Sequence, residues 1–331
     1  MPIIHRSGYH AAPALSNGHL QTLIPSLFRR VKGVRYHRWR VNTPDGDFLD
    51  LDLSRAGASR LALICHGLEG SSRSVYVLGA VRALNRDGWD AAALNFRGCS
   101  GQPNRRYRSY HSGATDDLHH VVSDLVNRGI KQIALIGFSL GGNVVLRYLG
   151  EQGNRLPRPV CGAGAVSVPC DLASSARRME NGDNRIYLIH FLRSLRKKVV
   201  EKALRKPGKL SPRRLRGIRT FREFDDIYTA PAHGFRDAED YWRRCRSLSV
   251  LHRIRIPTLL INARDDPFLA PASFPYREAS RHPYLYLETP RSGGHVGFVT
   301  LPFPNRFWHE ARLVSFLDSP SVGGRRRLLS Y

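Results

Sequence analysis

Ile133-Ala-Leu-Ile-Gly-Phe-Ser139-Leu-Gly-Gly-Asn-Val-Val-Leu-Arg-Tyr-Leu149 is the stretch on which the architecture turns. Its first four residues are a short, wholly apolar run of the kind that forms a strand buried on both faces. Leu140, Val144, Tyr148 and Leu149 then mark a helix behind that strand. Between the two, Gly137-Phe-Ser-Leu-Gly141 fits G-x-S-x-G in the context that makes this common pattern informative: directly after a strand and directly before a helix. Glycines flank the serine because so tight a turn leaves no room for side chains, and the turn lifts Ser139 Oγ out at the carboxyl edge of the sheet. Close packing alone accounts for a glycine-rich turn, but strand and helix together favour a nucleophile.

Working outward, the same alternation recurs. Leu61-Ala-Leu-Ile-Cys65 reads as a buried strand ending before Gly67, and Ser74 to Arg86 as a helix carried by Val77, Leu78, Val81 and Leu84. Asp90 to Phe96 is a second strand, followed by an Arg-, Ser-, Gly- and Tyr-rich loop from Cys99 to Gly113. A helix follows Thr115, with Leu118, Val121, Val122, Leu125 and Val126 on one face. Downstream, Val160 to Val168, Ile256 to Asn262 and Tyr284 to Leu287 read as strands and Phe307 to Leu317 as a last helix. Arg35 to Leu53 alternates around Thr43-Pro-Asp-Gly46, predicting a hairpin or two short edge strands. Strands that are nearly all apolar, alternating with helices, predict an α/β fold: a mostly parallel sheet covered on both faces.

The 331 residues show no internal repeat and predict a single domain, 1–331, interrupted by an insertion of about 171–251. Within it Ile186 to Ala203 is a strong helical pattern. Ile186, Ile189, Leu192, Leu195 and Val199 fall on one side, widened by Tyr187, Leu188 and Phe191. An excursion placed between strand-helix units predicts a helical cap over the mouth of a site.

A serine hydroxyl needs a base to take its proton, and in strand-turn-helix nucleophile sites the partners follow in the order Ser, Asp or Glu, His. Past the fifth buried strand comes Ala263-Arg-Asp-Asp-Pro267, and past the sixth Ser292-Gly-Gly-His295. Each lies at a strand end on the same sheet edge as Ser139. The chain has 14 histidines, so it is the position of His295, between last strand and last helix, that singles it out over His282 and His309. Asp266 is favoured to orient the imidazole, with Asp265 left to cap the turn. Backbone N–H groups of Leu140 and of the His66-Gly-Leu-Glu-Gly70 loop, at Leu68, are the expected oxyanion donors. His66 and Glu69 read as polar contacts that stabilise that loop. No ligand cluster accompanies them, so neither a metal nor a cofactor is expected.

Composition sets the class. Hydrophobic residues are 42% and charged residues 24%, which fits a folded soluble protein. Met1 to Arg6 contains no apolar core of a secretory signal, and no apolar run approaches a bilayer span, so a cytoplasmic protein is expected. Five scattered cysteines with no CxxC pair read as reduced thiols. The formal net charge of +25 is unusual. Thirteen Lys or Arg residues and one acidic residue, Glu201, lie between Phe191 and Arg222, with Arg105, Arg106, Arg108 and Arg325-Arg-Arg327 beyond. A solvated basic face, contact with an anionic membrane surface through the insertion, and phosphate contacts to nucleic acid all fit such a run. The last is disfavoured, because no helix-turn-helix, zinc-finger or RRM signature is present.

These residues together resemble the YheT-like branch of the α/β-hydrolases, the branch that also holds the ABHD1/ABHD3-type proteins. The resemblance runs through Asn17-Gly-His-Leu-Gln-Thr22, His66-Gly-Leu-Glu-Gly70, Asn95-Phe-Arg-Gly-Cys-Ser-Gly101 and Arg108-Ser-Tyr-His-Ser-Gly113. It continues in Gly137-Phe-Ser-Leu-Gly-Gly-Asn143, Asp265-Asp-Pro-Phe268 and Gly293-Gly-His-Val-Gly-Phe298. It implies the α/β-hydrolase fold, a Ser139–Asp266–His295 triad, and hydrolysis of carboxylic or lipid esters. Acyl transfer or thioester cleavage on the same triad, or a non-catalytic basic protein bound to membrane or nucleic acid, are the rival readings.

Overall fold

Short β-branched and aliphatic runs that bury both faces can satisfy their backbone only by pairing within a sheet, and here they do so in a nine-stranded sheet. The computed structural model describes residues 3–205, 210–300 and 307–319. Its strands are β1 (Ile3–Ile4), β2 (His37–Asn42), β3 (Phe48–Ser54), β4 (Leu61–Cys65), β5 (Asp90–Asn95), β6 (Ile133–Phe138), β7 (Val160–Val166), β8 (Thr258–Ile261) and β9 (Leu285–Glu288). Their order is β1-β9-β8-β7-β6-β4-β5-β3-β2. Among the described residues the β2–β3 and β3–β5 pairings are antiparallel, and the six remaining pairings, from β5–β4 through to β9–β1, are parallel.

The helices are α1 (Gly18–Phe28), α2 (Val75–Arg86), α3 (Thr115–Asn127), α4 (Leu140–Gln152), α5 (Leu172–Met179), α6 (Arg185–Arg205), α7 (Phe221–Phe224), α8 (Ala230–His233), α9 (Ala238–Cys245), α10 (Tyr276–Ser280) and α11 (Trp308–Leu317). One apolar cluster joins Leu118 and Val121 of α3 and Val144 and Tyr148 of α4 to one face of the sheet. A second joins Val77, Val81 and Leu84 of α2 and Leu313 and Phe316 of α11 to the other. The chain steps from β4 to β5 on one side, then returns to lay β6 on the other side of β4. A crevice opens at the carboxyl ends of strands where the order reverses in this way, and Ser139 and the 66–70 loop sit there.

The hairpin expected over Arg35–Leu53 is β2–β3, but β3 is not an edge strand. All seven of its residues are buried, Asp50 and Asp52 included. Cross-strand pairing explains it: Arg40 lies opposite Asp50 and Arg38 opposite Asp52, each arginine in a two-pronged pair with its aspartate at 2.8 and 2.9 Å. Missing from the sequence reading are β1 and α1. Asn17 caps α1, accepting the N–H groups of His19 and Leu20.

Between β7 and β8 the chain forms α5 to α9, with a π-helical turn at Asp225–Thr229. This segment has an apolar cluster of its own, in which Leu188, Leu192 and Val199 meet Leu215, Phe224 and Tyr228. The face of α6 corrects the expectation for Ile186 and Ile189: both point outward, 68% and 55% exposed. The buried side carries Tyr187, Leu188, Leu192, Val199, Lys202 and Ala203: each step of three along a helix drifts by about 60°, so Ile186 stands about half a turn from Leu195. Lys206, Lys209 and Arg325–Arg327 lie outside the described residues.

Candidate active site

Backbone geometry places Ser139 first. It stands between β6 and α4 with φ 52° and ψ −120°, a left-handed conformation that is uncommon for a residue bearing a Cβ. Its N–H donates to Val166 O at 2.9 Å, locking the turn to β7. A Cβ on Gly137 would come within 2.5 Å of Gly141 O, and one on Gly141 within 2.4 Å of Cys65 O. The turn is therefore closed to any other residue at either position, as the G-x-S-x-G spacing requires.

Three side chains from separate strand ends converge. His295 Nε2 lies 2.9 Å from Ser139 Oγ, and His295 Nδ1 lies 2.9 and 3.1 Å from the two oxygens of Asp266. Asp266 is buried and also accepts the Phe268 N–H. The Phe268 ring lies against the imidazole, tilted by 38° with centroids 4.3 Å apart. Asp265 does not touch the ring; its carboxylate accepts the Gly294 N–H at 2.9 Å, holding the loop that presents His295. Burial raises the Asp265 carboxyl above the ordinary range. Of the rival histidines, His309 is fully buried beside Phe138 and Phe298 and His282 bonds the turn before β9. Neither reaches Ser139.

Leu68 and Leu140 line the cleft beside Ser139. The 66–70 loop is held by polar contacts at both ends. His66 is buried, its Nδ1 2.7 Å from Gly67 O and its Nε2 accepting the Phe96 N–H; burial pushes its pKa down to about 4, so the ring is neutral. Glu69, at φ 56°, receives Tyr110 OH at 2.8 Å and Lys198 Nζ at 3.0 Å on one oxygen, and the Ser194 hydroxyl on the other. Its own N–H donates to Tyr110 OH. Ser194 and Lys198 belong to α6, so the loop carrying Leu68 is fastened to the inserted segment.

A further residue went unassigned in the sequence. Thr22 Oγ1 accepts the His295 N–H at 2.9 Å and donates to Gly18 O at 2.7 Å, tying the histidine loop to α1. The Asn17 cap was the available signal for that helix, obscured by its brevity and by Pro25 within it.

Two cavities meet at these residues. One of about 140 Å³ lies beneath the inserted helices, walled by Leu172, Met179, Phe221, Trp242 and Leu269. The other, of about 470 Å³, extends past Leu23, Leu27, Ile186, Tyr187 and His190. Both include Leu68, Ser139, Phe191, Phe268 and His295. Ser139 thus has a mainly apolar chamber on one side and a wider passage on the other.

Residues 63–300 match the alpha/beta hydrolase fold family. The chain is 42% identical to YheT of Escherichia coli (strain K12) over 315 residues, 92% of this chain and 91% of that one. It is 31% identical to the monoacylglycerol lipase of Saccharomyces cerevisiae over 300 residues, 85% of this chain and 63% of the lipase. The solved structure of the Pyrococcus furiosus esterase Pf2001 superposes with a TM-score of 0.58 at 19% identity, over 86% of this chain and 91% of the esterase. A serine turn between β6 and α4, a parallel sheet of this order and likeness along almost the whole length lead to one conclusion: the chain belongs to the alpha/beta hydrolase fold family, in its YheT-like branch.

Proposed function

We propose that this protein hydrolyses carboxylic esters, lipid esters among them, by transferring the acyl group to Ser139 and then to water. The carrying observation is the continuous array Ser139 Oγ, His295 Nε2, His295 Nδ1 and Asp266, with 2.9 Å at each link, opening on an apolar chamber. His295 takes the Ser139 proton as Oγ bonds to the ester carbonyl carbon, and Asp266 steadies the imidazolium. The Leu68 and Leu140 N–H groups hold the carbonyl oxygen as it becomes an oxyanion. The C–O bond to the alcohol then breaks, and His295 gives its proton to the departing oxygen. Water, deprotonated by His295, opens the acyl-enzyme and restores Ser139. No cofactor enters any step.

Names among its relatives, a monoacylglycerol lipase at 31% identity, support the ester and lipid-ester class. Residues 171–251 act in this reading as a cap over Ser139 within a single domain, which the lining of the smaller cavity by Leu172, Met179, Phe221 and Trp242 supports. Five cysteines, all unpaired, support a reducing, cytoplasmic setting. No helix among the described residues is long and apolar enough to cross a membrane.

Initial rates on p-nitrophenyl esters from acetate to palmitate, for wild type and Ser139→Ala, test the proposal. Loss of activity by a factor of at least about 10⁴ in the variant, with fluorophosphonate labelling of wild type only, is expected. Equal activity in the two proteins refutes Ser139 as the nucleophile. The preferred chain length reports the depth of the chamber.

A further inference from the structure

Large apolar side chains are few on the surface of this molecule, and they are not scattered. Leu20, Leu27 and Phe28 of α1 are 44%, 67% and 66% exposed, and Ile186, Ile189 and Leu204 of α6 are 68%, 55% and 69% exposed. Only one other large hydrophobic, Tyr276, is as open among the described residues. α1 and α6 are neighbours: His19 stacks on Tyr187 at 5.8 Å. Leu27 and Ile186 are also walls of the larger cavity that contains Ser139, so the exposed apolar face reaches its mouth through these two.

Charge accompanies them. Positions 186, 189, 193, 197 and 204 recur at steps of three, four, four and seven, which places them on one stripe of a helix. They read Ile, Ile, Arg, Lys, Leu, with Arg193 and Lys197 exposed. After α1, Arg30 and Lys32 are likewise exposed, and no acidic residue precedes Asp45 in the chain. Apolar and cationic groups interleaved on one surface are what a bilayer with anionic headgroups takes up: the apolar side chains enter the acyl boundary while the cations meet phosphates. A nucleic acid would leave Phe28 and the two isoleucines in water, and a soluble monomer has no use for such a cluster at a cavity mouth.

We infer that the face formed by α1 and the outer stripe of α6 docks on an anionic lipid surface, with the mouth of the Ser139 cavity turned toward the membrane. The inference adds to the ester-hydrolase reading by naming where a lipid ester enters, and its test requires no turnover.

Cosedimentation of the full chain carrying Ser139→Ala, with vesicles of phosphatidylcholine alone or mixed with phosphatidylglycerol, makes the measurement. Binding to the mixed vesicles, weak on phosphatidylcholine and falling as salt shortens the Debye length, is expected. Phe28→Glu with Ile189→Glu, neither of which lines the cavity, is expected to weaken that binding by at least about tenfold. In the otherwise wild-type chain the same pair should leave hydrolysis of a water-soluble short ester unchanged, which also shows that it folds. Absence of binding to mixed vesicles overturns the inference. Binding that survives the double substitution overturns it as well, and so does a self-association seen by ultracentrifugation that the double substitution abolishes while vesicles remain unbound.

Discussion

Thr22 shows how much one hydroxyl can hold. Its Oγ1 both donates to Gly18 O and accepts from His295 N–H, so the position of His295 depends on a residue 273 positions away in sequence. Thr22→Val preserves the branched shape and removes both bonds, leaving a half-buried N–H with no acceptor. Loss of a bond of this kind is worth about 1–3 kcal/mol, and a base displaced by a fraction of an ångström loses its line to Oγ. We expect kcat to fall about tenfold with KM nearly unchanged, and Thr22→Ser to recover most of it. A matching fall in KM and in melting temperature for both variants would assign Thr22 a purely structural part.

At the level of elements, α6 joins the 66–70 loop to the inserted segment. Ser194 and Lys198, one turn apart, hold Glu69, while Lys202, a further turn on, donates to Arg106 O, Tyr107 O and Arg108 O. Lys202 is buried, and desolvation pulls its pKa down to about 7. These contacts show that two of the lysines in the basic run serve the fold and not the solvent. They also make Lys198 and Glu69 positioning residues for the loop that bears Leu68. The Glu69 side chain is 4% exposed, so Lys198→Met strands a buried carboxylate, a costly state. We expect Lys198→Met to lower kcat about tenfold or more with little change in KM, since an oxyanion donor acts on the transition state. Glu69→Gln combined with Lys198→Met should be milder than the sum of the single losses, the signature of a coupled pair. Strictly additive losses would mean that the latch does not act as a unit.

Across the whole molecule, charge is partly consumed inside. Arg97 meets Asp45, Asp47 and Asp117 at 2.9, 3.0 and 2.6 Å, and Arg312 meets Glu288 at 2.7 Å. Alongside the Arg38 and Arg40 pairs, these bind the hairpin, the 97–108 loop and the last helix to the sheet. Although burial opposes it, hydrogen bonds hold the Asp45, Asp47, Asp50 and Asp52 carboxyls below their ordinary range, which makes the fold sensitive to acid, and two buried histidines add to it. Desolvation lowers His66 to about 4 and His309 to about 3; unfolded, each would bind its proton near 6.5. A base depressed by folding stabilises fully above its unfolded pKa, and that contribution drains away as pH falls toward the folded value. Asp45, held at about 2, adds a second loss below about 4. The melting temperature should therefore decline from about pH 6.5 downward. His309→Leu should flatten the first part of that decline, by about 2 kcal/mol at pH 5. A variant with an unchanged acid limb would show that His309 titrates normally.

Whatever rests on local patterning is legible in the chain before it folds. Ile133–Ile136, Leu61–Cys65 and the helices between them declare their elements because burial on both faces demands continuous apolar runs, and G-x-S-x-G declares its turn because only glycine fits beside the serine. Ser139, Asp266 and His295 could be named as candidates because each stands at a strand end, and the three side chains do come within hydrogen-bond distance. Tertiary structure alone decided the rest. It turned Ile186 and Ile189 outward, because α6 packs through Leu188, Leu192 and Val199, and it turned Lys202 inward onto carbonyls of a loop distant in sequence. It buried Asp50 and Asp52 under arginines of the neighbouring strand, and it brought Thr22 and Lys198 to the base and the 66–70 loop. No periodicity records those contacts: each depends on where a separate element comes to rest against the sheet, and a hydrogen bond exists only once both partners are in place.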